Sequence, residues 1–139
     1  EGDFQKLLDE MVNDGVINYL GKTSDVRPYI GQVHCTVLPS YHEGLSNVNL
    51  ESAANGRPVI TTRVPGCKET VEHNLTGLIC DERSTNSLID AVEKFINLSF
   101  EEKKQMGVAG RKKVEREYNR QVIVNAYLEQ IKILSKSIH

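Results

Sequence analysis

Glu43 and Glu51 are the two carboxylates best suited to hold a ligand, eight positions apart with a glycine and a serine between them. They belong to the run Leu38-Pro39-Ser40-Tyr41-His42-Glu43-Gly44-Leu45-Ser46-Asn47-Val48-Asn49-Leu50-Glu51, where an apolar strand pattern passes into a helical one. In open parallel sheets, ligands bind at this end of a strand. Gly44 lets a ligand approach the backbone because no side chain obstructs it. The first-turn amides of the helix carry the positive end of its dipole and suit a phosphate or diphosphate. Ser46 is equally suited to a structural task, capping that helix with its hydroxyl. Were both glutamates helical, they would lie about 80° apart around the axis, with about 12 Å of rise between them. That is too far for a carboxylate pair acting on one glycosidic bond. It matches the two ends of an extended ligand, such as the sugar and ribose of a nucleotide sugar. Alone, Glu51 reads equally well as a solvated surface carboxylate.

Other reactive residue types offer less. His42 precedes Glu43, and a His-Glu pair invites acid/base chemistry, although nothing else in the sequence supports a direct catalytic role. His34 reads as a packed histidine in a strand, His73 as a turn residue beside Asn74, and His139 as a terminal residue. No two of the histidines have metal-ligand spacing, so no metal is expected. Cys35 and Cys80 lie in apolar stretches and read as small packed hydrophobes. Cys67 sits in a turn-rich stretch, where exposure is expected, without a pattern marking it as a nucleophile. The three cysteines cannot all pair within one chain, which favours a reducing, cytoplasmic setting.

The elements that position these residues alternate between strands and helices. Phe4 to Asn13 has helical spacing and stops at Gly15. Val16 to Leu20 reads as a strand ended by Gly21. A short helix is expected over Asp25 to Gly31, with Pro28 in its first turn, then a strand over Val33 to Leu38. A helix over Ser46 to Asn55 stops at Gly56. The strand Pro58 to Thr62, a helical turn over Lys68 to Glu72 and the strand Gly77 to Cys80 follow. From about residue 84 the chain is helical. One helix there carries Leu88, Ile89, Val92, Phe95 and Ile96 on its inner face. The next opens with a capping box, Ser99 to Glu102, and Val122 to Leu134 is amphipathic. This alternation implies βαβ units and a parallel sheet with right-handed crossovers. The expected fold is α/β, a Rossmann-like parallel sheet flanked by helices, with four strands readable. Such sheets usually have more, so one or two strands are expected before Glu1.

Composition sets the outer bounds. The chain has 139 residues, the size of one domain. Seventeen Lys and Arg against nineteen Asp and Glu leave a net charge of −2, which argues against a nucleic-acid binder. No apolar run has the length of a membrane span, and no leader pattern argues for secretion. The chain opens on Glu1 and its first methionine is Met11, as expected of an excised or processed piece.

Glu43 through Glu51 resembles the E-x7-E motif of retaining glycosyltransferases with the GT-B fold. The flanking Leu38 to Gly44 and Glu51-Ser52-Ala53-Ala54-Asn55-Gly56-Arg57-Pro58-Val59-Ile60 are similar to family four in particular. Val64-Pro65-Gly66-Cys67-Lys68-Glu69 and Gly77-Leu78-Ile79 continue the likeness. It is close over Gly15 to Asp81 and looser over the helical tail. The resemblance implies that residues 1–139 form the donor-nucleotide lobe, the C-terminal half of a GT-B fold truncated at its N-terminus. It implies that Glu43 contacts the donor sugar near the reacting carbon, as the catalytic residue. The backbone of Gly44, Leu45 and Ser46 would approach the sugar and diphosphate, and Glu51 would accept hydrogen bonds from the ribose. Gly21 and Lys22 fall where the nucleobase pocket begins. The donor would be a UDP- or GDP-linked sugar, a substrate rather than a cofactor, with no cofactor or metal needed. The acceptor would be a glycan or lipid-linked sugar.

The sequence also departs from the family. Similar enzymes place an Arg and a Lys on the diphosphate, at positions that would precede Glu1, and hold the acceptor in an N-terminal lobe. Arg57 and Arg63 lie downstream and do not replace them. The expectation is therefore a lobe that is not a competent transferase by itself. A sheet cut at its first strands would also expose an edge able to pair with another copy. The cluster Arg111-Lys112-Lys113 with Arg116 and Arg120 is interleaved with Glu115 and Glu117. It reads first as a solvated face, and in its sharper form as a peripheral contact with anionic lipid at the inner membrane face. Two alternatives stand: another GT-B enzyme such as a sugar-nucleotide epimerase, and a non-catalytic Rossmann-like binding module. A receiver module would need an Asp cluster at the strand ends and a late-strand Lys, and neither is present.

Overall fold

Four consecutive β-branched residues, Val59-Ile60-Thr61-Thr62, build the middle of the sheet. Their stiff side chains suit an extended backbone covered on both faces. In the computed structural model, which describes residues 2–136 apart from the side chains of 123 and 134–136, this strand is buried at every position. Numbered in chain order, β1 is Thr36–Leu38, β2 Val59–Thr62 and β3 Gly77–Cys80. All pairing is parallel, in the order β1-β2-β3, with Thr36 opposite Val59 and Val59 opposite Gly77. The helices are α1 Gly2–Asn13, α2 Arg27–Ile30, α3 Asn47–Ala54, α4 Thr85–Asn97, α5 Phe100–Glu117 and α6 Arg120–Lys136. A 3-10 turn, Lys68–Thr70, is all that forms of the helical turn expected to reach Glu72.

The core joins β2 and β3 to α4 and α5 through Ile60, Leu78, Cys80, Ala91, Phe95 and Met106. Cys35, Leu88, Val92 and Leu98 pack against it. Ser99 caps α5 as expected: its Oγ accepts from the Glu102 amide at 3.2 Å, and Glu102 Oε2 accepts from the Ser99 amide at 2.7 Å. The α3 and α5 helices approach closely at glycines. A Cβ at Gly107 would run into the carbonyl oxygen of Gly56.

Several expectations are corrected. Val16 to Leu20 is not a strand, so the sheet has three strands rather than four. Its strand-like residues lack a ladder partner, and Val16, Tyr19 and Leu20 are exposed. The strand expected from Val33 begins at Thr36, which leaves His34 exposed in a bend rather than packed in a strand. Cys67 is fully buried, because the turn carrying it folds onto the end of β2 instead of facing water. On α4, Ile89 and Ile96 face outwards, since the core stripe runs through Leu88, Ala91, Val92 and Phe95. His139 lies outside the described residues.

Candidate functional site

At the carboxyl end of β1 the backbone is held by hydroxyls from its neighbour. Thr61 Oγ1 donates to the Leu38 carbonyl at 3.0 Å, and Thr62 Oγ1 donates to the Ser40 carbonyl. Ser40 in turn donates from its own Oγ to Glu43 Oε1 at 2.8 Å. The half-buried Glu43 carboxylate is thus aimed by a hydroxyl whose main chain is fixed to β2. Glu43 lies in the loop rather than on the helix, so the helical separation calculated for the glutamate pair does not describe their geometry.

Ser46 is the N-cap of α3, with extended φ −74 and ψ 97 and its Oγ accepting from the Asn49 amide at 3.3 Å. The structural task weighed for Ser46 is therefore one it performs. Its own amide is committed too, donating to the Gly66 carbonyl at 2.9 Å. Gly44 and Leu45 face solvent. Gly66 presses on the loop from behind. Its φ is +82, and a Cβ there would collide with the Glu43 carbonyl and lie 2.7 Å from that of Gly44. The Gly66 amide donates to Glu69 Oε2 at 2.8 Å, and the hydroxyl of Tyr118, the C-cap of α5, donates to the Glu69 carbonyl at 3.0 Å. The backbone of residues 43–46 is therefore braced through a second loop.

Asn49 fixes the first turn of α3 to the sheet. Its Nδ2 donates to Thr61 Oγ1 at 3.2 Å and Thr70 Oγ1 at 3.0 Å. Both hydroxyls give their protons to carbonyls, Leu38 and Cys67, and can only accept from Asn49. Asn49 Oδ1 is left buried without a partner among the described residues.

Glu51 projects from α3 into solvent. Arg27 of α2 stands near it. The Arg27 guanidinium is held above its ordinary range chiefly by its hydrogen bond to Asp25, with the Glu51 charge adding the smallest contribution. Glu51 and Glu43 thus lie on one rim of the sheet, at either end of the loop and first turns of α3. Gly21, at φ +72, and Lys22 are exposed, and no hydrogen bond or ion pair ties them to either glutamate. Glu43, Gly44, Leu45 and Ser46 share one loop, and Glu51 stands on the helix that follows it. Gly66 and Glu69 belong to the stretch that continues the family likeness, but their bracing role is marked in the sequence only by a Pro-Gly turn three positions before an acid. Asn49 carried no signal beyond a polar residue in a helix.

The arginines left aside as phosphate ligands have structural partners. Arg57 donates to the carbonyls of Ile30 at 3.3 Å and Gly31 at 2.6 Å, and Arg63 pairs with Asp81 at 3.4 Å. In the basic cluster of α5, Arg111 pairs with Glu115. Lys113 is buried between Glu72 and Glu117, and Arg116 reaches the same two acids. Three of the five cations are thus ion-paired, and Lys113 departs from the expected solvated face because it is buried. No helix among the described residues is long and apolar enough to cross a membrane. No three His, Cys, Asp or Glu among them are grouped to hold a metal.

Comparison with known proteins finds relatives and structural neighbours among glycosyltransferases and a sucrose-phosphate synthase. CapM, a capsular polysaccharide biosynthesis glycosyltransferase of Staphylococcus aureus, is 34% identical over 100 residues, covering 72% of this chain and 26% of its own length. LpsE, a lipopolysaccharide core biosynthesis glycosyltransferase of Rhizobium meliloti, is 28% identical over 127 residues, 91% of this chain and 37% of its own. The chain thus spans between 26% and 37% of these curated relatives. Sucrose-phosphate synthase of Thermosynechococcus elongatus superposes with a TM-score of 0.83 at 25% identity, covering 96% of this chain and 34% of that one. HepE of Anabaena, solved with UDP, gives a TM-score of 0.81 at 16% identity, over 93% of this chain and 36% of that one. The sequence profile of the group 1 glycosyl transferases matches residues 1–97, so the chain belongs to that family.

Proposed function

We propose that this chain is the donor-nucleotide lobe of a retaining glycosyltransferase, which moves a sugar from a UDP- or GDP-linked donor to a glycan or lipid-linked acceptor. The observation that carries the reading is the braced loop at Glu43 to Ser46, with Glu51 just over one turn into the helix behind it. In this reading Glu43 meets the donor sugar and the exposed backbone at Gly44 and Leu45 lies along the sugar and diphosphate. Glu51 receives the ribose hydroxyls, and Gly21 and Lys22 border the base. Negative charge grows on the leaving diphosphate during transfer, and preorganised donors there carry much of the catalysis. A helix N-terminus contributes on the order of 0.3–2 kcal/mol, a small part of an enzymatic rate enhancement. The family resemblance puts the cationic contacts on the diphosphate outside these residues, so in this reading the chain alone does not turn over a nucleotide sugar. The structural neighbour HepE holds UDP, and TarM of S. aureus is solved with UDP and α-GlcNAc-glycerol. A Campylobacter jejuni relative is named for a sugar on diphospho-undecaprenol. These support a nucleotide sugar and a glycan or lipid-linked partner.

Calorimetric titration of UDP and of GDP into the chain, beside Glu51→Ala, tests the reading. Binding of one nucleotide that weakens in the variant supports it and names the base. Binding that is indifferent to Glu51→Ala removes Glu51 from the ribose site, and turnover of a nucleotide sugar by the chain alone refutes the claim that its cationic help lies elsewhere.

A further inference from the structure

Asn49 lies in the first turn of α3, is a residue type whose side chain competes for backbone partners, and has no exposed surface. Its main-chain amide closes the Ser46 cap at 3.3 Å, while its side chain reaches away from the helix to the sheet. Nδ2 donates to two hydroxyls, Thr61 Oγ1 at 3.2 Å and Thr70 Oγ1 at 3.0 Å. A hydroxyl has one proton and two lone pairs. With an Asn49 N–H on its lone-pair side, each threonine aims its proton at a carbonyl: Thr61 at Leu38, 3.0 Å away, and Thr70 at Cys67, 2.6 Å away. Those carbonyls anchor the two loops of the site. Leu38 ends β1 and leads towards Glu43, and Cys67 follows Gly66, whose carbonyl accepts the Ser46 amide at 2.9 Å. One side chain thus sets the direction of a hydroxyl on either side of the Glu43–Ser46 backbone.

The arrangement has a cost that packing alone would avoid. Asn49 Oδ1 is buried without a partner among the described residues, and a buried acceptor left unbonded destabilises a fold. Turning the amide over does not relieve it, because Oδ1 would then face two hydroxyls whose protons are already given to Leu38 and Cys67. A leucine has the same branching at Cγ, covers the same surface and carries no orphaned acceptor. An aspartate accepts instead of donating, and would draw both hydroxyl protons away from the carbonyls. Among side chains of this length, only the amide offers two N–H donors from one atom. We propose that Asn49 is a positioning residue of the donor loop: buried behind it, and acting through Thr61 and Thr70, it holds the carbonyls that fix the backbone of Glu43 to Ser46. The assignment rests on the donor-lobe reading above.

The test compares the native chain with Asn49→Leu, Thr61→Val, Thr61→Ser and the double variant Asn49→Leu/Thr61→Val. Each is titrated calorimetrically with UDP and with GDP, unfolded in urea and examined by its 15N amide spectrum. Asn49→Leu is expected to raise the Kd of the nucleotide that binds about tenfold and to shift the amides of Gly44, Leu45 and Gly66. Its urea midpoint stays at or above the native value, because the orphaned acceptor is removed together with its donors. Thr61→Val gives a similar loss of binding, and Thr61→Ser, which keeps the hydroxyl, binds as the native chain does. The double variant loses less than the sum of the two changes, as residues acting through one contact do. If Asn49→Leu does not fold, the two Thr61 variants decide by the same Kd and amide shifts. Native Kd values with unmoved loop amides in Asn49→Leu and Thr61→Val overturn the proposal, and so does a fully additive double variant. A binding loss with a lower urea midpoint and unmoved Gly44 and Leu45 amides also overturns it, leaving Asn49 part of the framework alone. A native chain that binds neither UDP nor GDP sinks the donor reading, while the loop amide shifts still decide whether Asn49 holds the loop. Nucleotide binding that both variants leave intact does the reverse.

Discussion

A methyl group at Gly66 would meet the carbonyl oxygens of Glu43 and Gly44, the second at 2.7 Å, on a backbone already at φ +82. Gly66→Ala therefore combines left-handed strain with overpacking, together on the order of 2–4 kcal/mol. The expected outcome is a lower urea midpoint and weaker nucleotide binding, because the alanine displaces the Glu43–Ser46 backbone. Unchanged values of both would show that the loop does not depend on its brace. His73 gives a prediction of different sign. Its Nδ1 accepts from the Ile79 amide at 2.9 Å, an arrangement open only to the neutral ring. Burial, then the charges of Lys94 and Arg63, hold its pKa below the ordinary histidine value of 6.5. The unfolded chain thus binds the proton more readily. Stability from this contact is whole above pH 6.5 and is lost as pH falls through the lower folded value. Glu102 and Glu117, depressed by hydrogen bonds from Ser99 and from Lys113 and Arg116, titrate below 4.5, outside this window. Urea midpoints between pH 8 and 5 are expected to fall for the native chain and to flatten in His73→Gln; parallel curves would dismiss His73 as the cause.

Among the elements, two glycines on α5 separate sterics from helix propensity. Gly107 faces the end of α3, where a Cβ would strike the Gly56 carbonyl oxygen, while a Cβ at Gly110 would sit 3.5 Å from the Thr76 carbonyl and 3.6 Å from Ala53. Replacing a helical glycine by alanine ordinarily gains about 1 kcal/mol. At Gly110 that gain survives, so Gly110→Ala raises the thermal midpoint. At Gly107 overpacking costs about 1–3 kcal/mol and pushes α5 away from α3, so Gly107→Ala lowers it. Equal effects at both would mean that α5 does not bear on α3 as described. Legibility follows the same division between local and distant causes. The Ser46 cap, the Ser99–Glu102 box and strand β2 are set by neighbours in sequence, and they form as read. Val16 to Leu20 has strand composition, but a strand needs a partner, which composition does not report. Ile89 and Ile96 share apolar character with Leu88 and Phe95, and only the position of β3 decides which of them the core covers. Gly66 and Asn49 act on loops and strands distant in sequence, so the motif around Glu43 was legible without the parts that brace it.

At the scale of the whole molecule, burial is uneven. The core lies between the sheet, α3, α4 and α5, whereas α1 has no buried residue and every described side chain of α6 is exposed. Val122, Tyr127, Leu128, Ile131 and Ile133 put apolar surface of α6 into water, and Phe4 and Leu7 do so on α1. Contiguous apolar surface of this kind drives association, while stability resides in the contacts that the core makes. The two properties are therefore separable in one variant. Ending the chain after Asn119 removes α6 without touching any residue of the core cluster. The urea midpoint is expected to stay close to that of the full chain, and sedimentation velocity to show less self-association at the same concentration. A midpoint several degrees or a large denaturant increment lower would mean that α6 packs on the body of the lobe. Unchanged association would move the sticky surface to α1, Val16–Leu20 or the open edge of β1, where parallel pairing with a second copy is the remaining route.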